Sequence, residues 1–215
     1  MQQATGSSSR GPWPAANCRL YLITACRPDL EDFLEAAIAG GVDIVQIRDR
    51  QLSDAVLLEK LATARAVTAR HRVPLVVNDR PDLAVLADAD FVHVGQDDLS
   101  VPDARRLVAS VGLSTHTPAQ IEAADADYLG VGPIFDTPTK PGRPAVGLEL
   151  VRYAAAHARR PWFAIGGITT ANAAEVVDAG AERLAVVRAI GDAIDPERVA
   201  RTLRGLLPGP QAVTN

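Results

Sequence analysis

Ile44-Val45-Gln46-Ile47-Arg48-Asp49-Arg50 starts as an apolar run broken only by Gln46 and ends in charge. Apolar side chains at successive positions, not alternate ones, suit a strand covered on both faces, as in a parallel sheet. The polar turn at its end marks where such a strand leaves the core. Working outward, the same pattern recurs at Leu20–Ile23, Leu75–Asn78, Phe91–Val94, Gly112–Ser114, Tyr128–Val131, Trp162–Ile165 and Leu184–Val187.

Helical stretches fall between these runs. Leu30–Ala39 carries acids early and ends at Gly40-Gly41, a plausible C-cap. Ser53 is placed to cap a long helix from Asp54 to Arg70. Thr117-Pro118 and Thr170-Ala171-Asn172 read as helix starts, Ala173–Asp178 ends at Gly180, and Pro196–Leu206 forms a last helix. One strand and one helix alternate about every 25 residues, the repeat of an α/β fold of the (β/α)8 TIM-barrel type in a single domain. A doubly wound open sheet is the alternative, weakened because no Gly-x-Gly-x-x-Gly follows the first strand.

Composition narrows the function. The chain has 215 residues, 47% of them hydrophobic and 22% charged, so it can bury a full core. A formal net charge of −4 argues against nucleic acid as the main partner. Charged residues interrupt every apolar run, so no membrane span is expected. Two cysteines, Cys18 and Cys26, are too few for a disulfide framework, which points to the cytoplasm. Residues 1–18, rich in Ser, Gly, Pro and Ala, read as a disordered tail without the apolar core of a secretory signal. Residues 19–207 are then the catalytic barrel and 208–215 a C-terminal tail. Whether the chain forms a homo-oligomer is left open.

In a barrel, function gathers at the C-terminal ends of the strands. Here those ends are polar in succession: Gln46-Ile47-Arg48-Asp49-Arg50, Asn78-Asp79-Arg80, Gly95-Gln96-Asp97-Asp98, Ser114-Thr115-His116-Thr117, Asp136-Thr137-Pro138-Thr139-Lys140, Gly166-Gly167-Ile168-Thr169 and Val187-Arg188. Gln46, Arg48 and Arg50 alternate and so share a direction if the strand extends that far. Two guanidiniums beside Gln46 suit a polyanion, since Arg offers a forked donor to phosphate oxygens. A surface pair between Arg50 and Asp49 is the plainer alternative.

Asp79 and Asp98 end adjacent strands near this cationic group, and as a pair they suit Mg²⁺ bridging to a diphosphate. Asp79 as a simple cap for the helix opening at Arg80-Pro81 is the competing reading. Gly166-Gly167 and the turn after Val187 make a second anion site, where backbone N–H groups approach a phosphate closely. Only Lys60 and Lys140 interrupt an otherwise all-arginine basic set, so Lys140, in a Gly/Pro-rich loop running to Gly147, stands out as functional. That loop is long enough to act as a lid. His93 and His116 read as structural hydrogen-bonding groups, with no zinc spacing, and neither cysteine has an activating partner nearby.

Taken in order, Tyr21-Leu22-Ile23-Thr24, Val45–Asp49, Val77–Arg80, His93–Asp98, Gly112–Thr117, Asp127–Phe135, Thr137–Lys140 and Ile165–Thr169 resemble the thiamine-phosphate synthase family across nearly the whole folded chain. The resemblance implies a barrel that joins a hydroxymethylpyrimidine diphosphate to a hydroxyethylthiazole phosphate, releasing diphosphate by a dissociative route through a pyrimidine carbocation. It implies that Gln46, Ile47, Arg48, Asp49, Arg50, Asn78, Ser114 and Lys140 hold the pyrimidine diphosphate, with Arg48, Ser114 and Lys140 closest to the chemistry. Asp79 and Asp98 would hold Mg²⁺, and Thr137, Pro138, Thr139, Gly167, Val187 and Arg188 the thiazole phosphate. Two positions depart from the family pattern: Arg50 stands where Lys is usual, and Arg188 where Ser is usual. Two rivals remain at this level, a thiazole tautomerase-like isomerase and a phosphate-binding relative without catalysis.

Overall fold

The computed structural model describes residues 18–137 and 144–209. Eight parallel strands close into a barrel in chain order: β1 (Leu20–Thr24), β2 (Ile44–Ile47), β3 (Leu75–Asn78), β4 (Phe91–Val94), β5 (Val111–Thr115), β6 (Tyr128–Val131), β7 (Trp162–Ile165) and β8 (Leu184–Val186). Pairing of Leu20 with Leu184 and Leu22 with Val186 joins the last strand to the first. Closure leaves no strand edge and excludes the open sheet. The helices α1 (Leu30–Ala39), α2 (Asp54–His71), α3 (Pro81–Leu86), α4 (Val101–Ala104), α5 (Pro118–Ala123), α6 (Gly147–His157) and α7 (Ala173–Asp178) follow the first seven strands. α8 (Arg188–Gly191) and α9 (Pro196–Leu206) follow β8.

Strand period two sorts the side chains into two cores. Leu20, Leu22, Val45, Ile47, Leu75, Val77, Val92, Val94, Leu129 and Val131 face outward and pack under the helices. Tyr21, Ile23, Ile44, Val76, Phe91, Tyr128, Phe163 and Ala185 face inward and fill the barrel. Burial on both faces is why these strands read as continuous apolar runs. The interior is fitted around aromatic rings: a Cβ at Gly112 would lie 2.1 Å from the Tyr128 ring, so only glycine leaves room for that ring beside β5.

Helix ends follow local chemistry in part. The side chains of Ser100, Thr117 and Asp195 accept the N–H groups of Asp103, Gln120 and Arg198 and so start α4, α5 and α9. Ser53 occupies the cap position of α2, but its side chain makes no capping bond there. Among the described residues no helix is long and apolar enough to cross a membrane. Cys18, assigned to the tail from sequence, lies buried beneath β1 with its thiol donating to the Asp43 carbonyl.

Candidate active site

A cavity of about 410 Å³ opens at the C-terminal ends of the strands. One wall carries Gln46, Arg48, Asn78, His93 and Ser114, each within one position of the C-terminal end of its strand. Asp136, Thr137, the Gly166–Thr169 turn, Val187, Arg188, Ala189 and Asp192 form the other. The chain thus places two polar walls across an apolar floor that includes Ile23 and Ile165.

On the first wall, Gln46 is 1% exposed and its Nε2 donates to the Tyr21 hydroxyl at 2.5 Å. Arg48 is half-buried. Burial and Arg50 lower its pKa, while Asp79 and Asp98 oppose them, and a guanidinium stays charged throughout. Arg50 stands at the rim, with Nε donating to Asp79 Oδ2 at 2.9 Å and a terminal nitrogen 3.8 Å from Asp98. The expected alternation therefore brings Gln46 and Arg48 into the cavity and leaves Arg50 over the acidic pair.

Asp49 does not pair with Arg50. Its carboxylate instead accepts from the backbone N–H groups of Cys26, Gln51 and Leu52, fixing the loop that carries both arginines. The side chain of Ile47 faces the outer core, away from the cavity. Asp79 does not cap α3, because Arg80 holds the cap position and the Asp79 carboxylate turns to Arg50. Asp79 adopts φ +62°, a left-handed conformation that Asp tolerates better than most residues. Burial raises its carboxyl above the usual range, Arg50 opposes the rise and Asp98 beside it adds to it. Asp98 in turn accepts the Gly95 N–H at 2.9 Å. Arg80 is drawn outward to Asp54 and Asp82.

The second wall is built on glycine. Gly166 and Gly167 have φ +105° and +66°. A Cβ at Gly167 would lie 2.6 Å from Phe135 Cβ and 2.9 Å from the Asp136 carbonyl oxygen. The turn is held from below by Asn172, whose Nδ2 donates to the Gly167 carbonyl at 3.0 Å while its Oδ1 accepts the Thr169 N–H at 2.8 Å. Val187 and Arg188 start α8 beside this turn, with Arg188 Nε donating to Asp192 at 2.9 Å. Pro138, Thr139 and Lys140 lie outside the described residues, as does most of the loop read as a lid. Its described ends are pinned: Val146 N–H donates to the Pro133 carbonyl and Gly147 N–H to that of Ile134.

His93, read from sequence as a structural hydrogen-bonding group, is one, and it joins a line of polar side chains under the first wall. His93 Nε2 is 3.0 Å from Ser114 Oγ and its Nδ1 is 3.1 Å from the Tyr128 hydroxyl. Tyr128 in turn is 2.9 Å from the Tyr21 hydroxyl. The inward positions of Tyr21, His93 and Tyr128 were legible from strand period, but which polar atoms would meet was not.

The comparisons with known proteins agree with one another. Residues 20–190 match the family description "Thiamine monophosphate synthase". A protein of Thermus thermophilus named thiamine-phosphate synthase is 51% identical over 201 residues, covering 89% of this chain and 98% of that one. One from an Arthrobacter species, also named thiamine-phosphate synthase, is 47% identical over 224 residues, covering 89% and 94%. Among solved structures, a thiamine phosphate pyrophosphorylase from Pyrococcus furiosus superposes with a TM-score of 0.81 at 30% identity, covering 89% of this chain and 96% of that one.

Proposed function

This chain belongs to the thiamine monophosphate synthase family, and we propose how its two-walled cavity performs the family's transfer. The enzyme is a transferase of thiamine biosynthesis. It condenses 4-amino-2-methyl-5-(diphosphooxymethyl)pyrimidine with 4-methyl-5-(2-phosphooxyethyl)thiazole, giving thiamine phosphate and diphosphate. Its partners are small molecules.

In this reading the pyrimidine lies against the wall of Gln46, Asn78 and Ser114. Its diphosphate points to Arg48 and Arg50, and the family resemblance assigns Lys140 to the same group. The thiazole phosphate sits on the Gly167 turn and the start of α8, beside Thr137, Val187 and Arg188, and the family resemblance assigns Pro138 and Thr139 to the same phosphate. Both ends of the cavity then carry groups that suit an anion, and the middle is apolar enough to take two rings.

Asp79 and Asp98 fit Mg²⁺. They face one shared guanidinium, and that contact supports a place for positive charge between the two carboxylates. Few carboxylates suffice for Mg²⁺ when phosphate oxygens and water complete its shell. When bound, the ion offsets the negative charge that builds on the departing diphosphate. Asp79 and Asp98 would hold the ion, which would leave Arg50 to face the diphosphate.

No proton needs to move in the transfer. The methylene–oxygen bond breaks with its electron pair leaving on the diphosphate, and the thiazole nitrogen's lone pair closes on the methylene carbon. The chain therefore needs no general base. Arg48 and Lys140 stabilise the leaving charge, Ser114 donates a hydrogen bond, and the two walls hold the rings in line. An isomerase acting on the thiazole phosphate alone would give the acidic pair and its arginines no task.

The observation that carries this reading is the shared Arg50 contact of Asp79 and Asp98, beside Arg48 at the cavity rim. The test follows thiamine phosphate by its oxidised fluorescence, with both substrates and Mg²⁺ present. EDTA or Asp98→Ala should each lower the rate by about 10²-fold or more, the scale of removing a preorganised charge contact. Product formation indifferent to both would remove the metal role.

A further inference from the structure

Beneath the first wall, five side chains form one buried line from Gln46 to Ser114. Gln46 Nε2 is 2.5 Å from the Tyr21 hydroxyl, which is 2.9 Å from that of Tyr128. Tyr128 is 3.1 Å from His93 Nδ1, and His93 Nε2 is 3.0 Å from Ser114 Oγ. Both ends line the cavity, but neither tyrosine does. The tyrosines are fixed by edge-on packing on Phe163 at 5.2 and 5.8 Å, and by the gap that Gly112 leaves for the Tyr128 ring.

We propose that this line sets the hydrogen-bonding polarity of the pyrimidine wall, with Tyr21, Tyr128 and His93 as positioning residues. Each hydroxyl carries one proton, so the direction chosen at one end propagates to the other. The Gln46 amide donates to Tyr21. In the proposed polarity Tyr21 turns its own proton to Tyr128, and Tyr128 its proton to His93 Nδ1. That fixes His93 as the neutral tautomer with hydrogen on Nε2, which donates to Ser114 Oγ. Ser114 is left with its hydroxyl proton directed into the cavity, and Gln46 with its carbonyl oxygen. The wall thus presents an acceptor at Gln46 and a donor at Ser114. An aminopyrimidine, whose exocyclic amine donates while its ring nitrogens accept, matches that order, and a ring with the two features exchanged does not. The match rests on the pyrimidine reading above; the tautomer does not.

The test begins with ¹⁵N-histidine spectra of the folded, ligand-free protein at pH 8, assigned by elimination with His71→Gln, His116→Gln and His157→Gln. The expected result is a single Nε2–H tautomer for His93. Tyr21→Phe keeps the ring but cuts the line far from the cavity. It should let the two His93 tautomers mix and raise KM for the pyrimidine diphosphate about 5- to 10-fold, leaving KM for the thiazole phosphate unchanged. A purely structural hydroxyl would lower stability and move neither quantity. An Nδ1–H or mixed tautomer in the wild type, or a Tyr21→Phe variant with wild-type tautomer or wild-type pyrimidine KM, would overturn the proposal. Failure of the substrate reading would show separately, as absence of thiamine phosphate from an enzyme whose His93 tautomer is as stated.

Discussion

Gly167 is the residue on which the phosphate end of the cavity turns. Its φ of +66° already disfavours a side chain, and a Cβ there would meet Phe135 and the Asp136 carbonyl below 3 Å. Gly167→Ala should lower stability by about 1–3 kcal/mol in urea unfolding. Because the displaced turn carries the thiazole phosphate in our proposal, KM for that substrate should rise more than KM for the pyrimidine diphosphate; equal rises would place the turn outside the phosphate site. Arg188 behaves differently. It is well exposed, and its guanidinium is engaged by Asp192, a kind of pair worth about 0–1 kcal/mol. Arg188→Ser should change the thiazole phosphate KM by no more than about 3-fold; a larger loss would assign the guanidinium itself to the phosphate. At this scale the sequence was informative about residue types and poor about partners. The strand ends of Gln46, Arg48 and Ser114 named a polar mouth without any coordinates. That Arg50 would bridge Asp79 and Asp98 instead of pairing with Asp49 depended on how three loops converge, and no local pattern encodes that.

The elements carry a regularity that the active-site end does not show. Asp43, Asp90 and Asp127 each stand one position before an even-numbered strand, in Asp-Ile, Asp-Phe and Asp-Tyr pairs. Each carboxylate accepts the N–H of the first residue of the preceding strand: Leu20 at 2.9 Å, Leu75 at 2.9 Å and Val111 at 2.8 Å. Each Asp N–H returns a bond to the carbonyl of that same residue. Three clasps therefore tie β1 to β2, β3 to β4 and β5 to β6 at the end of the barrel opposite the cavity. They satisfy strand-start N–H groups that would otherwise be half-buried without an acceptor. Asp127→Ala should lower stability by about 1–3 kcal/mol while leaving kcat and both KM values within 2-fold, since it acts on the face remote from the chemistry. Loss of activity without loss of stability would contradict that division of labour. The motif is present in the sequence as a repeated Asp-apolar pair, but its meaning needs the strand register. Strand positions, in contrast, were legible almost to the residue. Two-face burial writes itself as apolar runs, whereas short helices such as α3, α4 and α8 leave too few turns for a helical period to emerge.

For the molecule as a whole, closure of the sheet makes the strands depend on one another, and the two thiols report on that dependence. Cys18 lies beneath β1 at the clasped end. Burial, with Asp43 adding to it, pushes its thiol up to about 12. Cys26 lies in the loop after β1 at the cavity end. Burial, then Asp49, pushes it up to about 11. The thiolate is the form that alkylates, so raising the pKa removes it at neutral pH. At pH 8, Cys26 in the folded chain should react with iodoacetamide at least about 10²-fold more slowly than an unfolded cysteine near 8.5. Its rate should climb about tenfold per pH unit until pH nears 11, where the thiolate fraction saturates. The two sites should separate in denaturant. Cys26 sits on a loop outside the strand pairs, whereas Cys18 packs in the inner core with its thiol held by the Asp43 carbonyl. Labelling at a series of urea concentrations should therefore show Cys26 reacting ahead of the global transition and Cys18 coinciding with it. Early reaction of Cys18 would mean that the clasped end frays before the barrel unfolds. Simultaneous reaction of both would mean that the cavity end is as cooperative as the clasped end, with no independent motion of the loop that Asp49 holds.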